Sequence, residues 1–156
     1  MDYLVIDAIV NGIIYSHVSV KQDLGRRFAA HLGLTPGKSG GDGGIDGYGT
    51  IDNEIIYFQS KLSQNTLDAS YVADFVGNLV IHQADIGIML SGVGYTDGFY
   101  ERLQDACKSK KLNTKIKVHL LSLEDIFGET EKFELATQDL PPLQDLSNGA
   151  WAKYNK

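Results

Sequence analysis

A single cysteine, Cys107, leaves no partner for an internal disulfide and too few thiols for an all-cysteine zinc site. The four histidines make no ligand cluster at His31, which falls on a recognisable helix without a companion histidine at ligand spacing and so reads as a surface residue. Long apolar runs are missing too. The most apolar stretch, YLVIDAIVNGIIY at residues 3–15, is interrupted by Asp7 and Asn11, which supports neither a membrane span nor a cleavable signal peptide and makes the cytoplasm the default compartment. Positive charge is in deficit, with 14 Lys and Arg against 20 Asp and Glu and a net charge of -6. Phosphate backbones are gripped by released counterions and need bases in quantity, so a broad nucleic-acid surface is disfavoured while a local one is not. Much of the acidity is in the tail: residues 119–156 hold 7 acids and 3 bases, residues 1–118 hold 13 and 11.

What remains is 156 residues with 43% apolar content, enough for one domain around one core. Residues 1–18 form an apolar N-terminal element, helical or mixed, that packs on the body or on a partner. Asp7 and Asn11 are spaced by four as in a helix, whereas the β-branched residues and Gly12 pull the other way. From Ser19 to Leu32, Val20, Leu24, Phe28 and Leu32 recur at helical spacing, with Ser19 as cap, Gly33 as stop and Asp23–Arg27 as an i,i+4 pair. Thr35 to Gly41 read as a loop turned by Pro36 and Gly37. Strands are expected at 45–51 and 54–60, joined at Asp52-Asn53, although this is not the favoured hairpin sequence.

A second helix follows over 67–83, capped by Thr66 or Asp68, then a buried strand over 84–90 and a third helix from Thr96 or Asp97. Another strand covers 116–121, and a short helix has Ser122 as N-cap with Asp125 at N3. Lys108, Lys110, Lys111, Lys115 and Lys117 form either a basic patch for a phosphate backbone or a solvated helix end. Strands alternating with helices after residue 54, behind an antiparallel edge, give an α/β fold with a mixed central sheet and helices on both faces. The divisions expected are 1–18, a core at 19–128, and an acidic tail or arm at 129–156. That last segment shows no sustained period, but Leu140, Leu143, Leu146 and Trp151 could dock it.

Chemistry concentrates in SGGDGGIDGYGTIDNEIIYFQSK, residues 39–61. Its glycines let the backbone turn sharply around Asp42 and Asp46. In the strand that follows, period-two alternation puts Ile55, Tyr57, Gln59 and Lys61 on one face and Ile56, Phe58 and Ser60 on the other. A phosphate loop is excluded because Gly37-Lys38-Ser39 precedes the glycines, and an EF-hand lacks its closing glutamate. An antiparallel pair can instead bring Asp46, Gln59 and Lys61 together. A carboxylate and an amide oxygen then suit a hard Mg²⁺ ion that keeps several waters, and the lysine supports charge on a phosphate. Each residue also has a plain alternative: a turn acid, an edge-strand amide and a solvated strand end.

The run Gly41-Asp42-Gly43-Gly44-Ile45-Asp46-Gly47, followed by Phe58-Gln59-Ser60-Lys61, resembles the restriction-endonuclease-like PD-(D/E)XK superfamily, in its Mrr-like branch with glutamine at the second acidic position. The order of the surrounding helices and strands is similar over about residues 19–127. The resemblance implies a restriction-endonuclease-like fold and a Mg²⁺- or Mn²⁺-dependent DNA endonuclease of restriction or defence. In it Asp46 and Gln59 hold the metal and Lys61 is the catalytic lysine. Asp42 matches a recurrent family acid. The glutamate that many members carry on their first helix falls near Gln22 or Asp23 here. With no attached recognition domain, a homodimer or a separate recognition subunit would select the DNA. A catalytically silent subunit of such a complex is the alternative, and an RNA substrate is not distinguished by these residues.

Overall fold

The computed structural model describes residues 1–38, 45–109 and 115–154, so Asp42, Lys110 and Lys111 lie outside the described residues. Strands β1 (Thr35–Pro36), β2 (Gly47–Ile51), β3 (Glu54–Lys61), β4 (Ile86–Ser91) and β5 (Lys117–Ser122) lie side by side in that order. The first three pair antiparallel and the last three parallel, which is the mixed sheet expected from the alternation of elements. β1 replaces the loop expected at Thr35: Thr35 and Pro36 pair with Tyr48 and Gly47 at the sheet edge, where proline's missing N–H costs nothing. The β2–β3 turn places both Asp52 (φ 49°) and Asn53 (φ 67°) in the left-handed region, as a two-residue I′ turn requires.

Among the described residues six α-helices flank the sheet: α1 (Tyr3–Ile14), α2 (Val18–His31), α3 (Val72–Ile81), α4 (Asp97–Cys107), α5 (Leu123–Gly128) and α6 (Glu131–Thr137). One face of β3, Ile56 and Phe58, packs in a single cluster with Ile6 and Val10 of α1, Ala29 of α2, Ile126 of α5 and Phe133 of α6. The other face, Tyr57 with Met89 of β4, lies under Phe75 of α3 and Phe99 of α4. Each such fully buried aromatic contributes about 1.5–3 kcal/mol of transfer free energy, so β3 is anchored from both sides. No helix among the described residues is long and apolar enough to cross a membrane.

Local chemistry sets the helix ends. The capping box is present at α5, where Ser122 and Asp125 satisfy each other's backbone N–H groups. Thr96 caps α4 through the Phe99 N–H. Asp68 caps a 3-10 turn, Ala69–Tyr71, that precedes α3, so the helix begins at Val72, later than its apolar pattern indicated. α2 ends on Gly33 at φ +81° but starts on His17, whose Nδ1 accepts the Ser19 N–H, so Ser19 is not the cap. Asp23 pairs with Arg26 at 3.8 Å rather than with Arg27. Both arginines approach the ring of Trp151, at 5.6 and 5.8 Å from its centroid.

In the acidic C-terminal segment the described residues run to Tyr154. The segment contains a helix, α6, whose seven residues were too few to reveal as a period. Leu140 and Trp151 are buried, whereas Leu143 is exposed and does not dock.

Candidate active site

Asp46 lies one residue before β2, at a point where the ladder changes register. Gly47 faces Phe58, yet the Asp46 N–H donates to the carbonyl of that same Phe58 at 3.0 Å. The place of the next ladder bond is taken by the Asp46 side chain, whose Oδ2 accepts the Ser60 N–H at 2.7 Å and the Ser60 hydroxyl at 3.1 Å. On its other side the Asp46 carbonyl accepts the Gly37 N–H at 2.8 Å. The Asp46 backbone is therefore held on two sides and its carboxylate by the Ser60 N–H and hydroxyl, and no hydrogen bond reaches Oδ1 among the described residues. Burial pushes the Asp46 carboxyl above its ordinary value, and the Ser60 hydrogen bonds and the positive charge of Lys61 pull it back only in part.

Asp46 and Lys61 open onto one cavity of about 400 Å³, floored by Ser60 and walled by Lys21 and Gln22 of α2 and by Gln64 and Asn65 beyond β3. Lys61 is exposed at the last position of β3 and makes no ion pair with Asp46 within 4.0 Å, so its ammonium stands near the carboxylate without being consumed by it. Of the two α2 positions at which an acid was sought, Gln22 lines the cavity and Asp23 points to Arg26. The helix presents an amide there rather than a carboxylate.

Gln59 is placed differently. It is only 2% exposed, does not line the cavity, and its Oε1 accepts the Tyr57 hydroxyl at 3.1 Å. Alternation puts it on the Lys61 face of β3, but it is buried there and does not reach the cavity surface. The Tyr57 phenol is pushed far above its ordinary range, first by burial and then by the negative charges of Asp46 and Asp74. It remains a hydroxyl and fixes the Gln59 side chain.

The oxygen donors the motif offers are a carboxylate whose Oδ1 takes no hydrogen bond among the described residues and a buried amide oxygen with one lone pair engaged by Tyr57. No group of three His, Cys, Asp or Glu side chains is gathered for a metal among the described residues. One carboxylate with room for water suits a hard divalent ion that retains most of its hydration, and does not suit a protein-caged one.

The residues that sequence reasoning missed are Ser60, Lys21 and Gly25. Ser60 occupies the spacer position between Gln59 and Lys61, which carries no signal of its own. Gly25 did offer one, since a glycine inside an amphipathic helix costs about 1 kcal/mol relative to alanine and so points to a packing requirement.

A profile for the catalytic domain of Mrr, described as a restriction endonuclease, matches residues 23–126, well over half of the chain, from α2 to the capped helix α5. The chain belongs to this restriction-endonuclease family. No curated protein and no solved structure matches it significantly. The family match spans Asp46, just before β2, and Gln59 and Lys61 on β3, and the mixed sheet flanked by helices is the restriction-endonuclease-like α/β fold. α1, the C-terminal arm and α6 lie outside the matched segment, although α1 and α6 pack into the same core.

Proposed function

We propose that this member of the restriction-endonuclease family is a Mg²⁺-dependent DNA endonuclease, acting in restriction or defence, with Asp46 and Lys61 at its centre. The observation that carries this reading is that Asp46 and Lys61, the first and last residues of the family's D…QxK motif, open onto a single cavity at the end of β3. Mg²⁺ (or Mn²⁺), when bound, would polarise the phosphate and lower the pKa of a bound water. Asp46 would hold the ion through Oδ1, and the second lone pair of the Gln59 amide oxygen could contribute from below. The Lys61 ammonium, which makes no ion pair among the described residues, stabilises negative charge that develops on the phosphate oxygens. Lys21, Gln64 and Asn65 supply a cation and amide donors for the flanking phosphates.

A net charge of -6 leaves the grip on DNA local, so a homodimer or a separate recognition subunit supplies the remaining contacts. The test is cleavage of duplex, branched and methylated DNA, with and without Mg²⁺ or Mn²⁺, by wild-type protein, Asp46→Ala and Lys61→Ala. Loss of cutting in both variants with unchanged circular dichroism is expected. Cutting at wild-type levels by both would sink the assignment.

One observation favours a second reading, a catalytically silent subunit that assembles with or positions DNA for a partner. Gln59 is buried and Gln22 replaces an acid, so the described site offers a single carboxylate. Calorimetry with Mg²⁺ separates the two, since the silent subunit binds no metal and cuts nothing.

A further inference from the structure

Between the two outer residues of the motif, Ser60 makes both contacts that fix the Asp46 carboxylate. Its N–H and its hydroxyl converge on Oδ2, at 2.7 and 3.1 Å, and this leaves Oδ1 as the oxygen without a hydrogen bond among the described residues. The space in which they meet is kept open by α2. A Cβ built on Gly25 would lie 2.3 Å from the Ser60 hydroxyl oxygen and 3.4 Å from Asp46 Oδ1, so no residue larger than glycine fits there while the hydroxyl stays in place.

Ser60 also belongs to the face of β3 opposite Gln59 and Lys61, and only the register change at Asp46 brings that carboxylate to it. Rotation of the Asp46 side chain would give up a charge-assisted N–H···O bond and a hydroxyl bond together, and bonds to ionised acceptors are about twice as strong as neutral ones. The carboxylate is thereby confined to one orientation, as positioning for in-line chemistry demands.

We infer that Ser60, with the clearance at Gly25, is a positioning residue that orients Asp46 so that Oδ1 is the oxygen presented to the cavity. The inference rests on the nuclease reading of Asp46 for its catalytic consequence, but not for its structural content. Replacing Ser60 with alanine removes the hydroxyl and keeps the N–H. The expected result is a fall in kcat for duplex cleavage of about tenfold with KM unchanged, because substrate contacts elsewhere in the cavity persist.

Gly25→Ala, which drives the hydroxyl off Oδ2, should reproduce that fall. Combining it with Ser60→Ala should add little, because both act through one contact and the added methyl no longer meets the Ser60 hydroxyl, leaving only an ordinary contact with Asp46 Oδ1. A separate readout needs no activity: in amide NMR spectra the Ser60 N–H proton, deshielded by the carboxylate, should move upfield in Asp46→Ala.

An unmoved Ser60 proton overturns the positioning role whatever the cleavage data show. So does wild-type kcat in Ser60→Ala, or full additivity of the two substitutions. A shifted Ser60 proton in a wild-type protein that cuts no DNA overturns the nuclease reading instead and leaves the Ser60–Asp46 coupling standing.

Discussion

Replacing Asp46 with asparagine should make the metal-free protein more stable at neutral pH. Asparagine keeps an oxygen able to accept from the Ser60 N–H and hydroxyl, so the local hydrogen bonds survive in weaker, neutral form. What disappears is a negative charge in a partly buried position, whose carboxyl is raised by burial more than Ser60 and Lys61 lower it. The sign follows from linkage. A carboxyl raised above its unfolded value of 3.8 binds more protons in the fold than in the unfolded chain. Its contribution to stability is therefore greatest below about pH 3.8 and falls as pH rises through the folded value, after which the penalty is constant.

Asparagine carries no such penalty. Substitutions that relieve a functional site commonly add about 0.5–2 kcal/mol, and a gain near 1 kcal/mol raises Tm by about 2–4 °C in a domain of this size. Urea unfolding of both proteins in EDTA at pH 7 and again near pH 3.5 measures it: the variant should lead at pH 7 and the lead should shrink in acid. A variant less stable than wild type at pH 7, or a gap that does not change with pH, would refute the reasoning about burial at Asp46.

Tyr57→Phe leaves the buried Gln59 amide without its phenol donor, and an unpartnered buried polar group costs about 1–3 kcal/mol. Thermal unfolding should show that loss, and a change below about 0.5 kcal/mol would mean that the hydrogen bond holds nothing. At the far edge of the sheet, Asp139 receives Lys117 at 2.9 Å and His119 at 2.7 Å. Burial alone would raise its carboxyl, but the two donors and their charges hold it below the ordinary value. The stability it adds is present above about pH 3.8 and lost as pH falls through the lowered value, so Asp139→Ala should flatten the acid limb of unfolding. With Lys117 largely in solvent, the effect should stay below about 1 kcal/mol and diminish in high salt.

The sheet and most helices were legible because the governing rules are local. Period-two alternation in β3 sorted Ile56 and Phe58 from Tyr57 correctly, and Ser122 with Asp125 announced the start of α5. Alternation gives the face of a residue but not its depth, and for that reason Gln59 could be assigned to the Lys61 side without revealing that it is buried away from the cavity. Ser60 was hidden for a related cause. Its meeting with Asp46 depends on a one-residue register change that no pattern of residue types encodes. The start of α2 and its ion pair were misread where other side chains intervened: an imidazole serves as cap, and Asp23 pairs with Arg26, which also lies over Trp151, while the stop at Gly33 was read correctly. Distant partners of this kind cannot be found from a helical window.

Arg26 joins two carbonyls that are far apart in the chain, that of Gly37 at 2.8 Å through Nε and that of Tyr154 at 3.3 Å through its guanidinium, the second across 128 positions of sequence. Gly37 is itself bonded to Asp46. In kinetic terms the contact closes a very long loop, and such contacts form late, after the local hairpin and helices are in place. A newly made chain whose sheet has already formed still lacks the clasp between its arm and α2 until Tyr154 arrives. A protease that trims the arm before Tyr154 would take away one of the two carbonyls that Arg26 holds, and with it this tie between the arm and α2.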